Sequence, residues 1–152
     1  MSCYPRLLIA DEPTTALDAT IQAQYLALFK DIQKQTNVSI IFITHDFGVI
    51  ANMCHRVAVM YAGKIVETAK TGELFKSPKH PYTTALINSV PRLDRKDDRL
   101  YSIEGQPPSL MDLPPGCRFY PRCSEAKEIC REQQPVEVEI SDGHSVSCWR
   151  VS

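Results

Sequence analysis

The sequence predicts an α/β fold: part of a parallel sheet with helices, followed by a small irregular Cys-rich C-terminal appendage. Three observations carry this. Leu7–Ala10 is a short continuous apolar run ending in the adjacent carboxylates Asp11 and Glu12, as a strand buried on both faces of a sheet does. Strand and helix patterns alternate from there to about residue 69, and a strand–helix–strand order implies a parallel pair with a right-handed crossover. Beyond residue 104 the periodicity stops, prolines cluster, and four of the six cysteines fall within Cys117–Ser152.

Taken in order, Asp18 is a candidate N-cap for a helix over about Ala19–Gln35, with Ile21, Tyr25, Leu28, Phe29 and Ile32 on one face. Val38–Thr44 is a second buried strand, rich in β-branched residues. Phe47–Met53 reads as a short helical turn, and Arg56–Met60 and Lys64–Thr68 as two strands joined through Tyr61-Ala62-Gly63. Thr71 is a candidate cap for a short helix, and Pro81 suits the first position of a helix over Tyr82–Ser89. Arg92–Arg99 is a mixed charge run read as a solvated connection, and Gly105–Gly116, with four prolines, as extended or turn structure. The expected divisions are 1–70, 71–104 and 105–152.

Composition bounds the function. In 152 residues, 43% are hydrophobic and 23% charged, and the net charge is −1. This is a globular balance with no bulk basic surface, so nucleic acid is not an expected partner. No apolar run approaches the ~20 residues of a membrane span. Met1–Arg6 is too short for a secretory leader, so a reducing cytoplasm is expected, where cysteines serve as metal ligands or spare thiols.

The chemistry concentrates at strand ends. Phosphoryl transfer from a nucleotide needs a held metal, a positioned water and a group on the terminal phosphate. Asp11 and Glu12 end the first strand and Thr44-His45-Asp46 ends the second. If the strands are neighbours, all three side chains share one edge, where open α/β sheets bind ligands. Singly these residues are ordinary loop carboxylates and an ordinary loop histidine.

Together they resemble the ATP-binding subunits of ABC transporters, a family with a P-loop NTPase-type sheet. Leu7–Glu12 is similar to the Walker B strand with its catalytic Glu, Thr15-Ala16-Leu17-Asp18 to the D-loop, and His45 to the switch histidine. The resemblance implies that Asp11 holds Mg2+ through water, Glu12 orients or deprotonates the attacking water, His45 contacts the γ-phosphate of ATP, and Asp18 crosses a dimer interface. Ile21-Gln22-Ala23-Gln24, Val57–Glu67, His80-Pro81-Tyr82-Thr83, Ser89-Val90-Pro91 and Gly116-Cys117-Arg118-Phe119 narrow it to the oligopeptide and dipeptide importers. His55 is a small departure, where the branch has Asp.

The 152 residues contain no Gly-x-x-x-x-Gly-Lys-Ser/Thr loop and no Gly-Gly pair. They therefore resemble the C-terminal half of such a subunit, beginning just past its signature helix, with Met1 an internal methionine or a truncated start. The expected partners are a second ATP-binding subunit, transmembrane permease subunits and, indirectly, an extracytoplasmic peptide-binding protein, placing the chain on the cytoplasmic face of the membrane. Alone it is expected not to hydrolyse ATP. The alternative is a non-enzymatic metal-binding or regulatory module that pairs with a full-length ATPase.

Cys117, Cys123, Cys130 and Cys148 are separated by five, six and seventeen residues. Four thiolates hold zinc or an iron–sulfur cluster, although these spacings lack the paired knuckles of zinc ribbons. The resemblance implies a [4Fe–4S] cluster on all four; zinc, or no metal at all, stays open on spacing alone. Cys54 reads as a small buried side chain, His80 and His144 as surface histidines, and Trp149 as a shield for the cysteine site.

Overall fold

The computed structural model describes residues 5–90 and 102–151. The chain divides into two compact units, one ending at Cys54 and one beginning at His55. The charge run Arg92–Arg99 and Cys3 lie outside the described residues.

In the first unit, β1 (Leu7–Asp11) and β2 (Ser39–Ile43) pair in parallel, with Ile9 opposite Ile41 and Asp11 opposite Ile43. The crossover is α1 (Ala19–Thr36), capped by Asp18, whose carboxylate accepts from the Thr20 and Ile21 amides, and ended by Asn37 in the left-handed region. Left-handed backbone at that position is an ordinary helix stop that Asn tolerates. A short α2 (Phe47–Met53) follows β2 and buries Val49. Burial differs from the pattern the sequence suggested. The strands are not covered on both faces: Leu8, Ala10, Ile40 and Phe42 point inward, while Ile9 is 60% exposed and Leu7, Ile41 and Ile43 are exposed too. On α1 the inward line is Gln22, Leu26, Phe29 and Ile32, with Ile21, Tyr25 and Leu28 outside it. Phe29 meets Phe42 edge-on at 5.2 Å, an arrangement aromatic quadrupoles favour.

The second unit is built on a four-stranded antiparallel sheet in the order β3–β4–β6–β5. Strands β3 (Arg56–Tyr61) and β4 (Lys64–Lys70) form a hairpin through Ala62 and Gly63, both at positive φ. Two such residues make the turn whose twist matches a hairpin. After α3 (Thr71–Lys76) and α4 (Pro81–Ser89, with Pro81 in its first turn) come a 3-10 turn (Tyr120–Arg122), α5 (Glu128–Glu132), β5 (Val138–Ser141) and β6 (His144–Val146). The cap of α3 is Lys70, with no side-chain bond, rather than Thr71. The C-terminal region is thus not an irregular appendage. Its hairpin completes the sheet begun by β3 and β4, a long-range pairing that local periodicity does not show.

Tyr61, Val66 and Phe119 form the core of this unit. The rings of Tyr61, Tyr82 and Phe119 are mutually packed, with centroids 4.6–5.3 Å apart. Arg118 donates to the Ala62 carbonyl. Arg122 donates to the Ile103 and Glu104 carbonyls and to the Tyr61 hydroxyl. Two arginines therefore fasten the cysteine-bearing segment to the hairpin.

The polar centre of this unit is Glu67, fully buried on β4. Its carboxylate accepts from the amides of Lys79 (2.8 Å) and His80 (2.9 Å) and from His144 Nε2 (2.8 Å). His144 Nδ1 bonds Glu73 at 3.0 Å. His80 and His144 are each 1% exposed and are not the surface histidines expected from sequence. We predict that Glu67→Ala lowers the stability of this unit by about 3–5 kcal/mol, the usual cost of stripping one partner from a buried charged network. The measurement is a urea titration followed by Trp149 fluorescence, and an unchanged midpoint would show that the network contributes nothing.

Candidate functional site

Two groups of residues carry chemistry, one in each unit. In the first, the parallel register sets Asp11 against Ile43, and the Glu12 amide continues the ladder by donating to the Ile43 carbonyl at 2.8 Å. Asp11, Glu12 and the Thr44–His45 turn therefore leave the same edge of the strand pair. Pro13 fixes the bend that follows: the Thr15 amide donates to the Glu12 carbonyl and the Leu17 amide to that of Thr14. Glu12 itself sits at φ 44° and Ala16 at φ 67°, a region where an L side chain costs about 1–2 kcal/mol.

This backbone brings Glu12 to His45. Glu12 Oε1 lies 2.8 Å from His45 Nδ1, and Glu12 Oε2 accepts from the Thr15 hydroxyl at 2.7 Å. Asp46 caps α2 through one oxygen, accepting from Gly48 and Val49, and takes the Gln22 side-chain amide on the other at 2.7 Å. The turn holding His45 is thus tied to the first turn of α1, just after Asp18. Sequence reasoning named Asp11, Glu12, Asp18 and His45 but missed Thr15 as a partner of Glu12 and Gln22 as a partner of Asp46. Among the four, the structure joins Glu12 with His45, places Asp11 at the same edge, and uses the Asp18 carboxylate as a helix cap.

The Thr15 hydroxyl and then the His45 ring hold the Glu12 carboxyl below the usual carboxylate value, and the bond to Glu12 raises the His45 ring above its usual value. The signs define a window. The lowered Glu12 contributes stability above its ordinary pKa of 4.5, lost as pH falls through its folded value; the raised His45 contributes below 6.5, lost as pH rises through its folded value. The contact is complete between about pH 4.5 and 6.5. Glu12→Gln is expected to bring the His45 midpoint back down toward 6.5 in an NMR titration of the ring; an unmoved midpoint would mean the pair does not form in solution.

In the second unit, Cys117, Cys123, Cys130 and Cys148 line one cavity with His80, Phe119 and Trp149. The Cys117 amide donates to the Cys130 carbonyl at 2.7 Å. Gly116 makes that approach possible, since a Cβ there would collide with the Cys130 and Arg131 backbone. The four cysteines form no disulfide with one another. Burial pushes the thiols of Cys117, Cys123 and Cys148 up, and neighbouring thiols push the same way. Backbone bonds from Phe119 and Tyr120 to Cys117, from Glu125 to Cys123 and from Arg150 to Cys148 pull back. Cys130 Sγ accepts from the Lys127 amide at 3.4 Å. Trp149, read from sequence as a shield, does line this cavity, and its ring donates to the Gln133 carbonyl at 3.1 Å. Cys54 is half-buried.

Among the described residues no group of three or more His, Cys, Asp or Glu side chains is placed to hold a metal ion. The structure therefore brings the four thiols to one cavity without converging them on a single ion position, and it gives Asp11 no ready-made magnesium cage. The donor chemistry of the cavity, four thiols with backbone N–H groups directed at their sulfurs, still fits a sulfur-bound group. No helix among the described residues is long and apolar enough to cross a membrane.

Residues 66–130 match the family described as "Oligopeptide/dipeptide transporter, C-terminal region". The dipeptide transport ATP-binding protein DppD of Bacillus subtilis is 54% identical over 97% of this chain, which corresponds to 44% of that protein. The oligopeptide transport ATP-binding protein OppD of Salmonella typhimurium is 49% identical over 97% of this chain and 44% of its own length. Among solved structures, cbiO1 of Clostridium perfringens, part of the ABC transporter complex cbiONQ, covers 48% of this chain and 29% of its own at 33% identity and a TM-score of 0.45. The chain spans less than half the length of the curated relatives it matches, and over nearly all of its own length it is about half identical to these ATP-binding proteins of dipeptide and oligopeptide transport.

Proposed function

We propose that this chain forms the hydrolytic part of the ATP site in a subunit that energises import of di- or oligopeptides. The observation that carries the reading is the Glu12–His45 contact at 2.8 Å, on the edge of a parallel strand pair that also ends in Asp11. Its support is the likeness, at about half identity, to proteins named for peptide transport and ATP binding.

In this reading each residue has one task. Asp11 holds the magnesium ion of Mg-ATP through water. Glu12, at 39% side-chain exposure, accepts a proton from, or orients, the water that attacks the γ-phosphorus. His45, more exposed than Glu12, donates to a γ-phosphate oxygen, where charge accumulates as the bond to the leaving oxygen lengthens. Asp18 reaches toward a second ATP-binding subunit, and the assembled pair docks on membrane-spanning permease subunits at the cytoplasmic face. Peptides are delivered by an extracytoplasmic binding protein, so solute choice lies outside this chain.

The phosphates themselves must be gripped by a loop of backbone amides and a lysine. The 152 residues carry no such loop: Gly63-Lys64 is followed by Ile65, with Gly63 in the turn of the β3–β4 hairpin and Lys64 opening β4. We predict no steady ATP hydrolysis from the purified 152-residue chain, read by phosphate release. A rate that Glu12→Gln abolishes would overturn this.

The cysteine cavity completes the proposal. With zinc as the alternative, we take the group to be a four-iron cluster held by Cys117, Cys123, Cys130 and Cys148; its support is that the four thiols line one cavity. When bound, it supplies cross-links between four chain segments and a one-electron centre. The chain's own contribution is a wall of Phe119 and Trp149 and N–H groups that stabilise thiolates. Protein purified without oxygen is expected to be brown and to contain about four iron and four sulfide per chain; one zinc and no iron would refute the cluster.

A further inference from the structure

We propose that the groove beyond the end of β6 binds a short acidic peptide in extended conformation, which adds to β4 as a strand. The proposal rests neither on the ATP edge nor on a bound metal. Strand β6 covers β4 only in part. Val146 lies opposite Glu67 and Ser145 opposite Thr68, and the Ser147 amide donates to the Val66 carbonyl at 2.9 Å. The chain then leaves the sheet for the cysteine cavity, which Cys148 lines. Strand β5 begins with Val138 opposite Val146. Lys64, Ile65 and Val66 on the β4 side and residues 134–137 on the β5 side line a groove of about 610 Å³, with Ser147 where β6 stops. This groove is the lane that β6 would fill if it were longer.

Main chain, side chains and charge in this lane all fit a peptide. Tyr61 and Lys64 pair across a two-residue turn. They therefore bond each other, and Ile65 turns its N–H and C=O away from β3, toward the lane. No partner for Ile65 on that side is found among the described residues, and an unpaired strand edge is a template for another strand. Met60 and Ile65 are opposite one another on β3 and β4, so their side chains share a face. With Val136 they line the groove, at 60%, 45% and 64% exposure. Among its charged residues, Lys64 and Arg118 face the one carboxylate of Glu137, so the excess is positive; His80, which also lines it, is kept neutral by burial. Arg118 uses Nη1 on the Ala62 carbonyl, while its Nε is buried without an acceptor. The volume suits a small ligand. An acidic, partly apolar peptide supplies strand bonds, apolar contact and the anion together.

The test uses the isotope-labelled 152-residue chain and a tetrapeptide probe of alternating valine and glutamate with a free carboxylate. The amide NMR signals of Ile65, Val66 and Ser147 are expected to shift saturably with millimolar probe or less. Lys64→Glu reverses one exposed charge and is expected to weaken binding about tenfold at an unchanged urea midpoint. Val136→Asp is expected to weaken it similarly through the opposite wall. A probe methylated on alternate main-chain nitrogens keeps its side chains but loses the strand bonds, and is expected not to bind. Absence of a saturable shift would overturn the proposal, as would equal binding of the methylated probe or of one with lysine in place of glutamate. Shifts at Ile65 that follow protein concentration without any probe would assign the groove to a second copy of this chain and overturn it too.

Discussion

The second unit depends on one buried carboxylate. Glu67 lies in the middle of β4, where the alternating pattern of a hairpin would place an apolar side chain. Its acceptors are satisfied by the loop before α4 and by a histidine from β6. A lone buried carboxylate is costly, so it becomes tolerable only once those partners arrive. The pairing is therefore specific: α4 and the C-terminal hairpin have one place to dock. Through His144 the network reaches Glu73 on α3, whose carboxyl is held low mainly by that ring and then by the Ser141 hydroxyl. One carboxyl group thus ties β4, α3 and α4, which are close in sequence, to β6, and two of its partners lead straight to the cysteine cavity. His80 lines it, and Cys148 lies two residues past β6.

This explains which parts of the fold were legible in sequence. The helix over Ala19–Thr36 announced itself through an Asp cap and helical spacing, and β2 through its β-branched run. These signals are local. The face of α1 that packs was misjudged by one position, because Tyr25 and Leu28 are as apolar as Leu26 and only the register on Phe42 decides among them. The antiparallel sheet was invisible for a different reason. Strand β6 has three residues, one of them His144, and no short polar strand shows period-two alternation. His80 and His144 read as surface residues because a lone histidine carries no sign of its partners. The signal that might have found them was Glu67, a charged residue interrupting the apolar strand Ile65–Ala69.

At the candidate ATP edge the sequence was more informative, since Asp11-Glu12 and His45 end two apolar runs and a parallel register brings strand ends together. What it did not reveal was second partners. Thr15 Oγ1 and Gln22 Nε2 are chosen by backbone turns, not by residue type. The Gln22–Asp46 bond links the start of α1 to the turn carrying His45.

The state of Glu12 follows from these partners. Both its oxygens are engaged, one by Thr15 and one by His45, and its backbone is held in a left-handed conformation that an L residue adopts only when its surroundings enforce it. A carboxylate in this arrangement is oriented but occupied. To act on a water in the proposed role, it must exchange one of the two hydrogen bonds for that water. The His45 bond is the natural one to yield: His45 is the more exposed partner, and in the proposed role its donor turns to a phosphate oxygen. Thr15 lies three residues away on the same turn and can stay. Moving His45 from carboxylate to phosphate would then free Glu12 Oε1 and neutralise developing phosphate charge in one step. In that proposed role the contact seen here would be the resting arrangement, and one ligand would release both of its members.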